Sequence, residues 1–335
     1  MTDVARAAGV HQTTVSLALR NSPKLPPETR KRIQAIARDL GYRADPLVSA
    51  LMTQVHSGRR DEDSPVLVWL NPLAPGLFQR EASFAEFVRG FSEKAEELGF
   101  RAEELRCGAC EGGVKDLAGH LYRRGIRAAF LPMTNVRKWI PEDASEIAFV
   151  ALAGQTDARP IDTVGPNHFQ NARLAARELI AAGSSRLAVI VPETFQVSPV
   201  EEWLGGCTVE AVESGLAQPA LVRVDPDDHD ALRGAIEDGA IDGVLAYPQS
   251  MRDTFARAGI SPPGDMNYAD PALVPGVADC AGIEPNRPAV GALAAESLVA
   301  QMHRGEFGSL EQPRAHLLTG RWVPGETVGG RRSSE

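Results

Sequence analysis

The chain opens with two short helical patterns and changes, after about residue 65, to continuous apolar runs separated by amphipathic stretches. Val4 and Ala8 fall on one face of a first helix in residues 2–9, where a threonine can cap the start and a glycine the end. Val15 and Leu19 are four residues apart, so a second helix can pack its apolar side against the first. The pattern predicts a small helical head with its own core.

A third helix is predicted from Pro27, which suits a first helical position, to Leu40, which a glycine follows. Ile33 and Ile36 recur within it at helical spacing. The next apolar segment, residues 46–54, is shorter than the ~12–15 residues that an isolated helix needs in water. We therefore expect residues 46–54 to be helical only when another surface packs against them.

From residue 66 onward, strand-like and helix-like patterns alternate. The run 66–70 is continuously apolar, as in strands buried on both faces of a sheet, and the stretch 84–98 is amphipathic. After Pro160 the alternation restarts, which suggests a second, similar lobe. The pattern predicts an α/β core of two lobes, each a parallel sheet with helices on both faces. The other predicted strands are 128–131, 147–152, 187–191, 220–224, 243–246 and 315–318, and the other predicted helices are 114–124, 170–182, 201–215, 228–238 and 290–304.

The second helix of the head presents a polar outer face with Gln12, Thr13, Ser16 and Arg20. A helix, a glycine-containing turn and a second, polar-faced helix form the helix-turn-helix motif, whose second helix enters the major groove of DNA. Residues 1–60 hold ten lysines and arginines against four acids, a net charge of +6, whereas the whole chain carries −9 and the remainder therefore −15. This asymmetry is expected when one end of a protein meets a polyanion.

The head and the segment that follows it resemble the head and hinge of the LacI/GalR family of bacterial repressors. The spacing matches without a gap from Asp3 to Leu51, and the rest of the chain has the length and order of that family's core. The resemblance implies a periplasmic-binding-protein-like core, base-reading positions at Gln12 and Thr13, and a hinge leucine, Leu51, that wedges into the minor groove. The matching residues are Asp3-Val4-Ala5, Ala8-Gly9-Val10, Thr14-Val15-Ser16, Thr29-Arg30, Leu40-Gly41-Tyr42 and Leu51.

Three head positions depart from the family pattern. His11 stands where Ser is common, Leu17 where Arg is frequent and Arg20 where Asn is usual, so the operator sequence cannot be copied from a relative. Arg30 and Lys31, near the start of the third helix, are expected to meet phosphates. The full set of predicted DNA contacts is His11, Gln12, Thr13, Ser16, Leu17, Arg20, Arg30, Lys31 and Leu51.

These patterns divide the chain into a DNA-binding head (1–45), a hinge helix with its linker (46–64), a core for effector binding and dimerisation (65–325) and a flexible Gly/Ser/Arg-rich tail (326–335). Within the core, the restart after Pro160 predicts that the second lobe begins there and that the last helix and strand return to the first. The expected bounds are 65–158 with 288–325 for lobe 1 and 159–287 for lobe 2.

An effector pocket is expected between the lobes, at the carboxyl ends of the strands. Trp203 stands where sugar-binding members of the family usually have an Arg that forks onto hydroxyls, and Tyr247-Pro248 replaces the usual Asn-Asp. An aromatic wall can stack on a sugar face or a flat ring, so the expected effector is carbohydrate-related or an aromatic metabolite rather than a simple free sugar. The candidate contacts are Asn71, Asn167, Trp203, Tyr247 and Asp270.

Catalytic and metal chemistry have no positive support in the sequence. Cys107 and Cys110 form a CxxC, but it has no second pair at zinc-site spacing, so two incidental thiols are a better interpretation than a zinc or redox site. The glycine-rich stretches match neither a dinucleotide fingerprint nor a P-loop, and the histidines form no nucleophile–base set. We expect no cofactor, no metal and no enzymatic activity.

The sequence therefore predicts a ligand-responsive transcriptional regulator, most often a repressor in such families, that binds a pseudo-palindromic double-stranded operator. Some members of the family that the chain resembles form tetramers through a C-terminal coiled coil. The tail here has no heptad pattern, so the resemblance implies a homodimer. No signal peptide and no apolar run of ~18 residues is present, which indicates a cytoplasmic protein with no membrane partner. Two alternatives remain: a constitutive DNA-binding protein whose core only dimerises, and an α/β enzyme joined to a DNA-binding head.

Overall fold

A computed structural model of the chain describes a helical head and a two-lobed α/β core. The described residues are 2–11, 14–15, 18, 25–39, 65–71, 82–106, 116–132, 145–152, 160–194, 199–248, 250–274 and 279–329. The predicted hinge helix, residues 46–54, and Leu51 within it lie outside these residues.

The head contains helices α1 (Thr2–Ala8) and α2 (Pro27–Asp39), with helical residues at 14, 15 and 18 between them. The apolar positions that predicted the head form its core, in which Val4, Val15 and Ile33 are buried together. Gly9 takes a positive φ of 65°, which a glycine adopts without strain, and so turns the chain after α1. The predicted first and third helices are thus confirmed.

Lobe 1 is a six-stranded parallel sheet with helices on both faces. Its strands are β1 (Val66–Asn71), β2 (Arg101–Arg106), β3 (Ala128–Leu131), β4 (Ala148–Leu152), β5 (Asp162–Pro166) and β11 (Ala315–Leu318), and its helices are α3 (Ala82–Glu97), α4 (Leu117–Arg123) and α9 (Arg287–Arg304). The strand order is β11-β5-β4-β3-β1-β2. Helices α3 and α9 cover one face, where Phe91 stacks on Phe130 at 5.2 Å between ring centroids, and α4 covers the other.

Lobe 2 is a four-stranded parallel sheet, also with helices on both faces. Its strands are β6 (Leu187–Pro192), β7 (Ala220–Val224), β8 (Gly243–Ala246) and β9 (Asn267–Ala269), and its helices are α5 (His168–Ala181), α6 (Pro199–Glu213), α7 (His229–Asp238) and α8 (Met251–Arg257). The strand order is β7-β6-β8-β9. Helices α5 and α6 cover one face, and α7 and α8 cover the other.

A two-stranded antiparallel ribbon, β10 (Gly282–Glu284) with β12 (Arg321–Val323), lies where the chain passes between the lobes. Beyond β12 the chain returns to lobe 2. Thr327 is buried there, and it accepts a hydrogen bond from the backbone N–H of Tyr268 on its carbonyl at 2.8 Å. The expectation of a flexible tail from residue 326 is therefore wrong for residues 326–329, because backbone bonding to β9 fixes them.

The boundary between the lobes also differs from the prediction. Strand β5 pairs with β4 and β11 in the lobe 1 sheet, so the passage to lobe 2 follows Pro166 rather than residue 158. The return of α9 and β11 to lobe 1 is confirmed by their packing and pairing there. Strand β2, of sequence RAEELR, was missed because it is an edge strand with a mainly polar, partly exposed pattern.

Within the described ranges, no helix is both long enough and apolar enough to cross a membrane.

Candidate functional site

The head exposes part of the predicted DNA-contacting set. His11 and Lys31 are exposed, and Lys31 lies in the first half of α2. Gln12, Thr13, Ser16, Leu17 and Arg20 lie outside the described residues, so their role in reading bases stays a prediction.

Arg30 departs from its expected role as a phosphate contact. Its side chain is largely covered, with only 8% of the residue exposed, although its neighbour Lys31 points to solvent. Successive residues of a helix project about 100° apart, so Arg30 and Lys31 cannot share one face. The structure supports an accessible cation at Lys31 and does not support one at Arg30.

In the core, three aromatic side chains meet on the α5–α6 side of lobe 2. The Trp203 indole lies with its ring centroid 5.3 Å from that of Tyr247 and 5.7 Å from that of His168, which it meets edge-on. We call His168, Trp203 and Tyr247 the aromatic trio. Trp203 is only 2% exposed and belongs to the core of this side of the lobe, whereas Tyr247 and His168 are partly exposed.

The ends of parallel strands bring the trio together. Strand β5 ends at Pro166, and the Asn167 side chain accepts a 3.0 Å hydrogen bond from the backbone N–H of Gln170. Asn167 is therefore the N-cap of α5, and His168 becomes the first residue of that helix. Tyr247 directly follows β8, and Trp203 lies in the first half of α6.

Electrostatics keep His168 neutral at ordinary pH. Burial, and then the positive charge of Arg287, lower the pKa of His168 to about 4. Its Nδ1 is buried and finds no hydrogen-bond partner among the described residues. Beside it in α6, burial raises the pKa of Glu202, although its carboxylate accepts a hydrogen bond from the backbone N–H of Phe169.

Arg287, which the sequence did not single out, stands beside this site as the first residue of α9. It is 5% exposed, and its two terminal nitrogens donate to the carbonyls of Leu273 at 2.6 Å and Ala272 at 2.8 Å. Burial lowers its pKa, and the nearby carboxylate of Glu86 opposes that effect. A charged residue at the start of a helix gives no apolar periodicity, which is why sequence reasoning passed over it.

Asp270 does not join the aromatic trio. Tyr268, two residues earlier, packs among α7 and α8, whereas the intervening Ala269 packs on the α5–α6 side. Side chains of extended chain alternate, so Asp270, which directly follows β9, lies on the side of Tyr268, whose pKa is raised by burial and then by the charge of Asp270. Asp270 is fully buried, and its Oδ1 accepts a 2.7 Å bond from the backbone N–H of Ala272. Burial raises the pKa of Asp270 to about 6, against the lowering effects of that hydrogen bond and of Arg287.

Asn71 ends β1 in lobe 1, where its amide donates to Glu104 of the neighbouring edge strand at 2.9 Å. Of the five predicted effector contacts, Trp203 and Tyr247 are in contact with each other. Asn167 serves as a helix cap beside them, and Asn71 belongs to the other lobe.

The thiols and acids of the described ranges form no group of three or more potential metal ligands. Cys207 and Cys280 are buried free thiols, and burial raises the pKa of Cys207 to about 12, which makes it unreactive as a thiolate. Cys107 and Cys110 lie outside the described residues.

Comparison with known proteins identifies the family of the head. The model of the bacterial regulatory proteins of the LacI family matches residues 1–45, the region of the helical head. Residues 1–45 therefore form a LacI-family head. The chain is also 26% identical over 250 residues to the maltose regulon regulatory protein MalI of Escherichia coli (strain K12), a match that covers 67% of this chain and 68% of that protein.

A second relative is the HTH-type transcriptional regulator AglR of Rhizobium meliloti (strain 1021). It is 33% identical over 193 residues, which cover 56% of this chain and 51% of AglR, so the match spans about half of that protein. Both relatives are named as regulators, and this chain is a DNA-binding transcriptional regulator with a LacI-family head.

Solved structures share the fold over nearly the whole chain. A complex of the transcriptional regulator CelR with cellobiose has a TM-score of 0.58 at 19% identity and covers 97% of this chain and 98% of its own. The lac repressor dimer bound to operator and the anti-inducer ONPF has a TM-score of 0.56 at 16% identity and covers 98% of each chain. At these identities the likeness shows the fold, a helical head on a two-lobed parallel α/β core.

Proposed function

We propose that this LacI-family regulator is a ligand-responsive repressor that binds a pseudo-palindromic operator as a homodimer. The observation that supports this best is the combination within one chain of a head that matches the LacI-family model over residues 1–45 and a core of two parallel-sheet lobes. One head offers a small interface, whereas two heads related by a dimer axis read two half-sites. We assign residues 1–45 to DNA binding and residues 46–64 to the hinge and linker.

In this proposal Gln12 and Thr13 read bases, His11, Ser16, Leu17 and Arg20 flank them, and Leu51 enters the minor groove. Selection of random duplexes with the full-length protein should return an inverted repeat. The Gln12→Ala variant should then relax base preference at one or two positions in each half-site, at a cost of roughly 1–3 kcal/mol. If the Gln12→Ala variant selects the same base preferences as the wild-type protein, the second helix of the head is not the recognition helix.

The proposed effector lies between the lobes, against the open side of the aromatic trio. Tyr247 and His168 are partly exposed and supply an aromatic surface and a neutral imidazole, which suit a ring face and hydroxyl groups. The names of the relatives point the same way, since one regulates a maltose regulon and a structural neighbour was solved with cellobiose. We therefore propose a carbohydrate-related ligand, with a disaccharide ahead of an aromatic metabolite.

The experiment pairs thermal-shift measurements with operator titration, using maltose, cellobiose, glucose and 4-hydroxybenzoate as probes. A ligand that binds only one state of the core raises the melting temperature and changes operator affinity together. We expect a disaccharide to do both and glucose to do neither. A response to glucose alone would show that the replacement of the Arg by Trp203 does not exclude simple sugars.

A constitutive regulator is the second candidate, and the burial of Trp203 favours it. With 2% of its surface exposed, Trp203 fills space on the α5–α6 side of lobe 2 instead of presenting its ring to a ligand. If no probe changes either the melting temperature or operator affinity, while the protein still binds its selected operator, the core serves dimerisation alone.

We further propose that the protein is not an enzyme and acts in the cytoplasm, where operator DNA is found. Both named relatives are regulators, and the cysteines Cys207 and Cys280 are buried as free thiols, which a reducing compartment maintains. Hydrolysis of any probe sugar by the purified protein would contradict the first statement.

A further inference from the structure

The backbone of Arg287 is fixed to lobe 1. It begins α9, which packs against α3 so closely that a Cβ added at Gly291 would lie 1.9 Å from the carbonyl oxygen of Phe87. A Cβ added at Gly90 of α3 would likewise lie 1.9 Å from the carbonyl oxygen of Pro288. Backbone packing of this kind leaves no room for the two helices to slide, so the backbone of Arg287 moves with lobe 1.

The side chain of Arg287 reaches lobe 2. Its Nη1 and Nη2 donate to the carbonyls of Leu273 and Ala272, which follow β9. This short loop is itself fixed to lobe 2 and the ribbon, because Asp270 accepts from the N–H of Ala272 and Leu273 donates its N–H to the carbonyl of Ile283 at 2.8 Å. The guanidinium therefore joins a rigid helix pair of one lobe to a rigid loop of the other.

Glu86 adds a third point of attachment. It lies on α3, and its Oε2 is 3.8 Å from Nη1 of Arg287. The guanidinium is thus held between a carboxylate of lobe 1 and two neutral carbonyls of lobe 2. A planar fork can meet two carbonyls at once, whereas a lysine ammonium, with one nitrogen, cannot span both in the same way.

We propose that Arg287 is a positioning residue that fixes the angle between the two lobes and thereby sets the affinity of the head for its operator. A rotation of the lobes that moves α9 away from the loop 270–273 lengthens at least one of these bonds. Because the guanidinium is buried, water does not replace an acceptor that moves away, and this arrangement of the lobes is favoured. The link to operator affinity rests on the proposed function, whereas the fixed angle does not.

The test uses full-length protein with spin labels on non-natural residues at positions 96 and 212, one on α3 of lobe 1 and one on α6 of lobe 2. Both side chains are exposed and lie away from Glu86 and Arg287, so labels there do not disturb the core or this ion pair. Pulsed electron paramagnetic resonance gives the distribution of inter-lobe distances, and titration gives the affinity for the selected operator.

The variants are Arg287→Met and Arg287→Lys. Arg304→Met is the matched control, because Arg304 ends the same helix and pairs with Glu306 on the surface.

For Arg287→Met we expect a shifted and broader distance distribution and a change in operator affinity of about 5-fold or more, the usual range of coupling between sites. Arg287→Lys should fall between Arg287→Met and wild type, and Arg304→Met should match wild type. If Arg287→Met does not fold, the inter-lobe distances are measured in Arg287→Lys and Glu86→Gln instead. Both variants should broaden the distance distribution.

Wild-type distances in all variants that fold, with only a lower melting temperature, would overturn the proposal, since a purely structural role predicts that result. If the distances shift but operator affinity does not, the angle is fixed by Arg287 and the coupling to the head is wrong. If the wild-type protein selects no operator at all, the proposed function is wrong. The inter-lobe distances would still test whether Arg287 fixes the angle between the lobes.

Discussion

At the scale of single residues, the sequence and the structure give Trp203 different roles. Its position predicts a ligand contact, but its surroundings are those of a core residue: it packs with Val200, Leu204 and the alanines of α5. Replacing it by Ala would remove a large buried ring, and any weaker ligand response would then be hard to separate from damage to lobe 2.

We expect Trp203→Ala to lower the free energy of unfolding by roughly 3–5 kcal/mol, the usual range for a buried aromatic residue. Trp203→Phe keeps part of the ring volume and should cost less than half as much. Urea denaturation of the two variants measures both values. Equal, small decreases for the two would mean that Trp203 is not a core residue.

Two titratable residues whose pKa values are shifted by burial give opposite pH dependences of stability. His168 has a folded pKa of about 4, below its ordinary value of 6.5, so the unfolded chain binds more protons between these values and stability is lost as pH falls through that window. Asp270 has a folded pKa of about 6, above its ordinary 3.8, so the folded protein binds more protons and stability is lost as pH rises from about 4 to 6.

Single variants separate the two effects. In Asp270→Asn, stability should rise more steeply than in wild type as the pH goes from 4 to 6.5, because His168 acts without an opposing group. In His168→Gln it should rise less steeply or fall over pH 4–6. Urea midpoints at several pH values provide the measurement, and identical pH slopes in both variants would contradict the assignment.

At the scale of elements, α3 and α9 cross with their backbones in contact. Gly291→Ala should destabilise lobe 1 by about 2 kcal/mol or more, because the new Cβ would overlap the carbonyl of Phe87 and force the helices apart. Gly234→Ala is the matched control within α7, where an added Cβ meets nothing within 4 Å. It should stabilise by up to about 1 kcal/mol through helix propensity. Thermal unfolding of the two variants in opposite directions is the expected result.

The elements themselves were largely predictable. The predicted strand ranges 220–224 and 243–246 coincide with β7 and β8, and the predicted helix 228–238 matches α7 with Asp228 as its N-cap. The elements that were not predicted are strands β2, β5, β9, β10 and β12 and helix α8. Short or edge elements carry too few buried side chains to leave a period in the sequence. Strand β5, of sequence DTVGP, is buried inside the sheet but offers one large apolar side chain, Val164, and so no apolar run.

At the scale of the whole molecule, charge separation should govern binding to DNA. The net charge of the chain is −9, yet its first sixty residues are basic, so the head meets phosphates while the body repels them. Operator affinity should therefore fall steeply with salt. Lys31→Gln should weaken binding to all duplexes alike and lower the salt slope by about 1, because the variant neutralises one phosphate fewer. Titrations at four salt concentrations measure it, and an unchanged slope would remove Lys31 from the interface.

The head, its LacI-family spacing and the α/β class of the core follow from local sequence, because helical caps, apolar periods and motif spacing depend on residues close together in the chain. Four features required the folded chain: β5 stays in lobe 1, residues 326–329 bind to β9, Asp270 faces away from the aromatic trio, and Arg287 joins the lobes. Each of these depends on which distant segment a strand or side chain meets. Local patterns limit such pairings, but the packing of the complete chain selects among them.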